Sequence, residues 1–437
     1  MLSIEDNEAL TRVGPGTLMG GLMREYWLPF MYSWELQPDG APLRVRLLGE
    51  DLIAFRDTTG RVGLMDSHCA HRGASLFFGR NEECGLRCVY HGWKYDVDGN
   101  CVDMPNEPAE SNFKDKIRHT AYRCGEQGGV VFAYMGSRQA DPPGLPQLEW
   151  GLLPETQVHH EYKAVYQCNW MQALEGDLDT AHVFFLHSRL RQEDGKAAGA
   201  YHPDRSPKLE VVETDYGLMY GARRVHAPGQ IYWRTTQFLM PVYTLFPAYE
   251  DGVVPVHIWV PIDDDHTLVW GVKWHPAQEI PERQLLTRSE LIAGVGPMKE
   301  EQKGAFYAQW WPQASMENDF LLDREVQRTQ TFTGIPAIRL QDASMTTSMG
   351  TIMNRTQEHL GTTDTAIIRA RQRLIRAARA LREDGTLPPA ADRPELYRVR
   401  SCSALLPEGV DWQTALDDWH HARTTEVSAA QASAGRT

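Results

Sequence analysis

Two short segments in the first quarter of the chain each carry one cysteine and one histidine. Cys69 and His71 lie in Cys-Ala-His-Arg-Gly, and Cys88 and His91 lie in Cys-Val-Tyr-His-Gly-Trp. Two thiolates suit one iron of a [2Fe–2S] cluster, and two imidazoles on the other iron raise the reduction potential. The pattern therefore predicts a Rieske cluster, which transfers electrons.

The same four side chains are also compatible with a tetrahedral zinc site in a binding module without redox chemistry. Zinc ribbons usually carry paired cysteines or paired histidines on a loop, so one Cys-His pair on each loop favours the cluster. His68 is a further candidate, but its offset from the cysteine differs from that of His91. Cys84 is predicted to be a packed or free thiol.

The composition narrows the class of protein. The chain has 437 residues, 42% hydrophobic and 23% charged, as is typical of a globular protein of about two to three domains. A net charge of −14 argues against nucleic acid as a partner. Seven cysteines in so long a chain do not form a disulfide framework. With no long apolar stretch and no signal-peptide pattern at the N-terminus, we expect a cytoplasmic location and no membrane insertion.

The secondary-structure patterns predict an α+β protein. Short alternating strands indicate a small all-β domain over residues 38–140 that carries the cluster loops. Residues 1–37 are expected to be partly helical and to pack on a larger catalytic domain, residues 141–424. That domain is predicted to contain an antiparallel sheet flanked by helices. Residues 425–437 are expected to be a frayed tail.

A second constellation of metal-binding residue types follows in the larger domain. Residues 169–185 are predicted to form a helix, with Glu175, Asp179 and His182 on one face. His187 lies five residues after His182, so the helix must end or bend before both imidazoles can reach one metal. Two histidines and one carboxylate form the facial triad of mononuclear non-haem Fe(II) oxygenases.

The carboxylate of this triad must come from farther along the chain. Asp319 and Asp323 lie about one helical turn apart, and Asp342 follows Gln341 in a later segment. Each has the chemistry of an iron ligand, and the spacing alone does not choose among them.

Further motifs accompany these patterns along nearly the whole chain. They are Tyr26-Trp27-Leu28-Pro29, Asp179-x2-His182-x4-His187, Asn318-Asp319, Gln341-Asp342, Ser348-Met-Gly350 and Asn354-Arg-Thr-Gln-Glu358-His-Leu-Gly361. Together with both cluster loops, they resemble the α-subunit of Rieske non-haem iron aromatic-ring-hydroxylating oxygenases. Within that family the chain is similar to the phthalate 4,5-dioxygenase group.

The resemblance implies a helix-grip-like catalytic domain and a role for each metal-binding residue. The two Cys-His loops would hold the [2Fe–2S] cluster, and His182 and His187 would hold the mononuclear Fe(II). In the family the carboxylate ligand lies a couple of dozen residues before the last long helix. Asp342 fits this offset from a helix that starts at Asp364, whereas Asp319 is too early.

The resemblance also implies an assembly and an electron path. The family has an acidic residue three positions before the first iron histidine, here Asp179, which bridges to a cluster histidine of the neighbouring subunit. A homotrimer or stacked trimers are therefore expected. Electrons would come from a separate NADH-dependent flavin/[2Fe–2S] reductase. Many relatives have an asparagine near Glu175, so this chain departs from the family there.

The expected activity is that of a terminal oxygenase that uses O2 to hydroxylate or dihydroxylate an aromatic carboxylate, such as phthalate or a related benzoate. Arg223, Arg224 and Arg234 are the candidates for binding the carboxylate, because arginine pairs with it through two hydrogen bonds. One alternative is a Rieske O-demethylase or monooxygenase of a methoxylated aromatic acid. Another is a Rieske electron-transfer protein, although the second constellation argues against it.

Overall fold

The structure is a computed structural model of the 437-residue chain. The expected frayed tail, residues 425–437, lies outside the described residues. The structure describes residues 1–108, 110–190, 204–249, 251–282, 285, 296–300 and 302–422.

The first domain is built from antiparallel strands around a small apolar core. Both cluster-loop cysteines belong to this core, which therefore fixes where the two loops start. The strands are β1 Trp27–Tyr32, β2 Leu43–Leu47, β3 Glu50–Arg56, β4 Val62–Asp66, β5 Arg80–Glu82, β6 Gly85–Arg87, β7 Lys94–Tyr95, β8 Cys101–Asp103, β9 Ala121–Gln127 and β10 Val130–Tyr134.

These strands form two sheets, one ordered β1-β10-β9-β4-β3-β2 and the other β5-β6-β7-β8. In the larger sheet, Trp27 of β1 lies opposite Tyr134 of β10. Strand β1 comes from the N-terminal segment that was expected to pack on the catalytic domain. The sheet of the first domain therefore includes a strand from this segment as well as the strands after residue 37.

The second domain contains a larger antiparallel sheet. All residues of its neighbouring strands β16 and β17 are buried, as in strands covered on both faces. The sheet order is β11-β17-β16-β15-β14-β13-β12, and β18 pairs with β14. The strands are β11 Val158–Tyr166, β12 Lys208–Thr214, β13 Gly217–Ala227, β14 Gln230–Leu239, β15 Tyr243–Leu245, β16 Val254–Pro261, β17 Thr267–Trp274 and β18 Ser403–Pro407.

Helices cover this sheet, which confirms the α+β class. Helix α4 packs against β16 and α6, and α7 packs against α1, α2, β12 and β13. Helix α7 ends at Gly385, whose φ of 76° is the left-handed conformation that glycine adopts readily. The helices are α1 Ile4–Thr11, α2 Leu18–Arg24, α3 Glu149–Leu152, α4 Trp170–Leu178, α5 Arg324–Thr329, α6 Ile338–Ser348, α7 Thr365–Asp384, α8 Trp412–Ala415 and α9 Asp417–His420.

Helix α4 is shorter than the helix predicted for residues 169–185. It ends at Leu178, and a separate 3-10 turn covers His182–Phe184. Asp179 is extended, and its carboxylate accepts hydrogen bonds from the backbone N–H groups of Ala181 and His182. Such local side-chain to backbone bonds compete with helical hydrogen bonds. The prediction that Glu175, Asp179 and His182 share one helix face is therefore wrong, because the helix ends before Asp179. The helix does end before His187, as predicted, but it already ends before His182.

Within the described residues, the structure contains no helix that combines the length and the apolar character needed to span a bilayer.

Candidate metal centres

The two Cys-His loops have the same backbone arrangement. In each loop the cysteine N–H donates to the carbonyl oxygen five residues later, at 2.8 Å. The glycine four residues after the cysteine, Gly73 or Gly92, donates its N–H back to the cysteine carbonyl oxygen. Both glycines have positive φ angles, 72° and 80°. A tight turn that only glycine adopts easily therefore closes each loop, although the histidine offsets differ.

The side chains of the two loops converge. Cys69 and Cys88 are buried, and the rings of His71 and His91 lie 4.5 Å apart between centroids. Burial and the adjacent Cys69 thiol raise the pKa of Cys88. Two adjacent buried thiols fit a site for a cation, because a bound metal stabilises thiolates.

Two aromatic residues beside the loops were not among the predicted site residues. Trp93 stacks on the His71 ring at 4.5 Å, and the Tyr95 hydroxyl lies 3.2 Å from Cys69 Sγ. Alternation along an extended segment after the second loop places both on one face, so the pattern contained a signal for them. His68 is exposed, and its ring pairs with Ser67 instead.

The second site brings His182, His187 and Asp342 together. Asp342 Oδ1 lies 3.1 Å from His187 Nε2 and 3.6 Å from His182 Nε2. One ligand atom from each residue lies within 4.8 Å of the others, the only such group of three or more metal-binding side chains in the described part of the chain. Two imidazoles and one carboxylate are the donor set of a mononuclear iron site with open positions.

Neighbouring side chains orient two of these three groups. Gln341 Nε2 donates to the carbonyl oxygen of Ile335, so its Oε1 faces His187 Nδ1 at 2.7 Å and accepts from it. His187 is then protonated on Nδ1 and presents the Nε2 lone pair to the site. Burial disfavours ionisation of Asp342, but neighbouring groups outweigh it and lower the pKa of Asp342, among them the Arg339 guanidinium that donates to Oδ2.

Asp179 lies on the far side of His182 from Asp342. Its Oδ2 is 3.6 Å from His182 Nδ1, a buried atom with no hydrogen-bond partner among the described residues. Burial disfavours ionisation of Asp179, but His182 outweighs it and lowers the pKa of Asp179. A carboxylate at the far nitrogen of a metal-binding imidazole would fix its orientation.

The other candidate carboxylates lie elsewhere. Asp323 is exposed and caps α5 by accepting the N–H groups of Glu325 and Val326. Asp319 is exposed in a 3-10 turn. Glu175, where the chain departs from the family, is buried and pairs with both Arg355 and Arg371. Its single negative charge is therefore shared between two buried guanidinium groups, and it is not part of the three-residue cluster.

The three candidate arginines do not share one environment. Arg223 pairs with Glu408 at 3.0 Å, whereas Arg224 lies on the opposite face of β13. Arg224 is buried, bonds the backbone and hydroxyl oxygens of Thr180, and lies 5.0 Å from the Phe184 ring. Its Nε and Nη1 atoms have no partner among the described residues. Burial and then the neighbouring Arg234 lower the pKa of Arg224 to about 10.

A cavity of about 700 Å³ adjoins the three-residue cluster. Most of its lining is apolar, and that lining includes Phe185, Ile335, Trp259 and Met345, while His182 and Asp342 contribute polar atoms. The volume is in the range of small-molecule sites. The three candidate arginines are not part of its wall.

Comparison with known proteins agrees with this arrangement. A family model described as a Rieske [2Fe-2S] domain matches residues 26–119, and one described as LigXa C-terminal domain like matches residues 133–433. The 3-chlorobenzoate-3,4-dioxygenase oxygenase subunit of Comamonas testosteroni is 42% identical over 95% of this chain and 98% of that protein. The chain belongs to the Rieske non-haem iron oxygenases.

Further similarities extend over the whole oxygenase. The phthalate 4,5-dioxygenase oxygenase subunit of Pseudomonas putida is 38% identical over 96% of this chain and 97% of that protein. The solved structure of Pseudomonas putida CBB5 NdmA with caffeine has the same fold, with a TM-score of 0.60 at 17% identity over 86% of this chain and 96% of that chain. As a Rieske non-haem iron oxygenase, the protein is an enzyme with a [2Fe–2S] cluster and a mononuclear iron, which confirms the cofactors predicted from the sequence.

Proposed function

We propose that this Rieske oxygenase is the terminal component of a system that hydroxylates or dihydroxylates an aromatic carboxylate, such as phthalate or a related benzoate. The observation that carries the substrate class is the buried, incompletely paired guanidinium of Arg224 beside the segment that bears His182. Two characterised relatives named for a chlorobenzoate and a phthalate support the same class.

The proposal assigns each metal-binding side chain. The two thiols and two imidazoles of the convergent loops fit the cluster, and the imidazoles and carboxylate around the cavity fit Fe(II). Bound iron would supply the activation of O2. The cluster ligands in this proposal are Cys69, His71, Cys88 and His91, and the iron ligands are His182, His187 and Asp342.

Substrate binding in this proposal depends on two arginines of one sheet face. Arg234 lies opposite Ala222 in the β13–β14 register, so its side chain shares the face of Arg224. Guanidinium groups here would bind the carboxylate through paired hydrogen bonds. Neither arginine lines the cavity, so the carboxylate would extend beyond the cavity wall toward Arg224, while the apolar lining surrounds the ring and excludes water. Arg223 is left out of this role, because it lies on the other face and pairs with Glu408.

The electron path in the proposal passes through Asp179. Its side chain is 27% exposed, so a neighbouring subunit can reach it, while its Oδ2 faces His182 Nδ1. Phe185 and Phe332, which also line the cavity, are half exposed and contact each other. These exposed aromatic side chains and the accessible Asp179 carboxylate support a contact between copies of the chain in a trimer or stacked trimers. A separate NADH-dependent flavin/[2Fe–2S] reductase would supply the electrons.

Iron content and spectroscopy test the cofactor assignment. The purified oxygenase should contain about three irons per chain and show the low average g-value of a Rieske cluster after reduction. A pure electron carrier would contain about two irons per chain. A colourless protein that contains zinc would contradict the ligand assignment for the cluster.

Product analysis tests the substrate class. With a compatible reductase and 18O2, phthalate or a chlorobenzoate should give a labelled diol or phenol. Formaldehyde from a methoxybenzoate, without ring hydroxylation of the other acids, would instead support the O-demethylase. Arg224→Gln should raise KM for the carboxylate more than tenfold, about the value of one charged hydrogen bond, and Arg223→Gln is the matched control. Equal KM values for both variants would contradict the role of Arg224.

A further inference from the structure

A chain of buried and partly buried polar groups leads away from Asp342 on the side opposite the two histidines. Arg339 lies one helical turn before Asp342 on α6, and its Nη1 donates to Asp342 Oδ2 at 3.2 Å. Its Nη2 lies 2.8 Å from His257 Nε2. Arg339 thus bonds one oxygen of Asp342, while the other oxygen, Oδ1, faces His182 and His187.

The protonation of this chain follows from the chemistry of the guanidinium. Arginine has donors and no acceptor, so His257 Nε2 must accept the bond from Arg339. The proton of the neutral imidazole is then on Nδ1, which lies 2.9 Å and 3.1 Å from the two carboxylate oxygens of Asp177 and donates to them. The order is carboxylate, imidazole, guanidinium, carboxylate, so each bond joins a donor to an acceptor.

The far end of the chain is anchored in the sheet. Asp177 Oδ2 accepts from the Thr244 hydroxyl on β15 at 2.5 Å and from Trp259 Nε1 on β16 at 2.7 Å. The His257 and Asp177 side chains are less than one-tenth exposed. The Tyr166 hydroxyl bonds the backbone carbonyl oxygen of Arg339 at 3.0 Å. The guanidinium is therefore held from the sheet as well as from its own helix.

We propose that Arg339 is a positioning residue that fixes the Asp342 carboxylate so that Oδ1 alone is presented to the iron, and that His257 and Asp177 hold Arg339 in place. The inference rests on the proposed role of Asp342 as the iron ligand. It adds that Asp342 would bind the iron through Oδ1, because the hydrogen bond from Arg339 holds Oδ2 turned away from the two histidines. Rotation of the carboxylate is restricted at Oδ2, where Arg339 donates its hydrogen bond.

Arg339→Lys is the decisive variant. An ammonium keeps the charge but cannot span His257 Nε2 and Asp342 Oδ2 as the guanidinium fork does. We expect Fe(II) to be lost to a chelator about 10- to 100-fold faster, as when a group that orients a metal ligand is removed. We also expect altered EPR g-values for the nitric oxide adduct of the mononuclear iron. The EPR signal of the reduced cluster should not change and reports on the fold.

Arg328→Lys is the matched control, because Arg328 also pairs with a carboxylate three residues away on a helix but is exposed. It should behave like the parent enzyme. His257→Leu removes the acceptor for Nη2 and should change the nitric oxide spectrum in the same direction by a smaller amount. Parent-like iron release and spectra in both Arg339→Lys and His257→Leu would overturn the positioning role, whatever their activities.

The outcome is separable from failure of the proposed function. If Asp342→Asn keeps its iron with a parent-like nitric oxide spectrum, Asp342 is not the ligand, and the ligand assignment within the proposed function fails first. If Asp342→Asn loses the iron while Arg339→Lys and His257→Leu are unchanged, the ligand assignment stands and only the positioning role is wrong.

Discussion

The two metal-binding regions of this oxygenase are assembled in different ways. The cluster loops lie close together in the sequence, and backbone hydrogen bonds and a left-handed glycine close each of them. The proposed iron-binding group combines the segment after α4 with α6, which follows far along the chain. Its geometry depends on side-chain partners, among them Gln341 and Arg339.

This difference predicts different responses to substitution. A loop held by backbone hydrogen bonds should keep its shape when one metal ligand is replaced. The substitution should therefore remove the cluster without disturbing the rest of the fold. A site held by side-chain contacts should lose metal affinity when a ligand is replaced and also when a residue that orients a ligand is replaced. The following variants test this contrast, from the largest expected effect to the smallest.

Replacement of a cluster cysteine should have the largest effect. Cys69→Ser removes a thiolate ligand, so the red-brown absorbance, the cluster EPR signal and turnover should all be lost. Cys84→Ser is the matched control, because Cys84 lies in a turn outside the convergent loops. A Cys69→Ser enzyme with a normal cluster spectrum would exclude Cys69 as a ligand, whereas equal losses in both variants would mean that Cys84 is also needed for the cluster.

Replacement of the iron carboxylate should separate the two metal sites. Asp342→Asn should reduce the iron content from about three to about two per chain and abolish oxygenation, while the cluster spectrum stays intact. Asp319→Asn and Asp323→Asn should keep all the iron, because both aspartates are exposed and lie outside the three-residue cluster. Iron loss in Asp319→Asn but not in Asp342→Asn would reverse the assignment.

The same contrast explains what could be predicted from the sequence. The cluster loops were predictable, because their ligand types, spacing and glycines are local. The spacing did not distinguish Asp342 from Asp319, because the choice depends on how α6 packs against α4, which is a tertiary contact. The helix prediction failed at Asp179, where one side chain bonds the next backbone N–H groups and ends α4.

The arginines illustrate the same limit on a strand. Arg223 and Arg224 are neighbours in the sequence, so strand alternation requires them to lie on opposite faces. Which face lies toward His182 became clear only from the packing of Arg224 on Thr180 and Phe184. The strand pattern thus predicts that Arg223 and Arg224 point in opposite directions. Which of the two is buried depends on the tertiary packing.

Removal of the charge on Asp179 tests the link between the two regions. Asp179→Asn should retain both metals, because Asp179 is not a proposed ligand, but turnover should fall about 10- to 100-fold. The iron content and the EPR signals of the cluster and of the mononuclear iron should match those of the parent enzyme. Dithionite should still reduce the cluster. Full turnover in this variant would contradict the bridging role, and loss of the mononuclear iron would show that Asp179 acts on His182 alone.

The smallest expected effect is the difference between alanine substitutions at the two loop glycines. Gly73→Ala and Gly92→Ala each place a side chain at positive φ, at a cost of roughly 1–2 kcal/mol. A Cβ at Gly73 meets open space, whereas one at Gly92 would lie 2.6 Å from Pro105 Cγ and adds overpacking of roughly 1–3 kcal/mol. Thermal bleaching of the cluster absorbance should therefore occur at a lower temperature for Gly92→Ala than for Gly73→Ala. Equal bleaching temperatures would mean that Pro105 moves aside and that the left-handed backbone alone sets the cost in both loops.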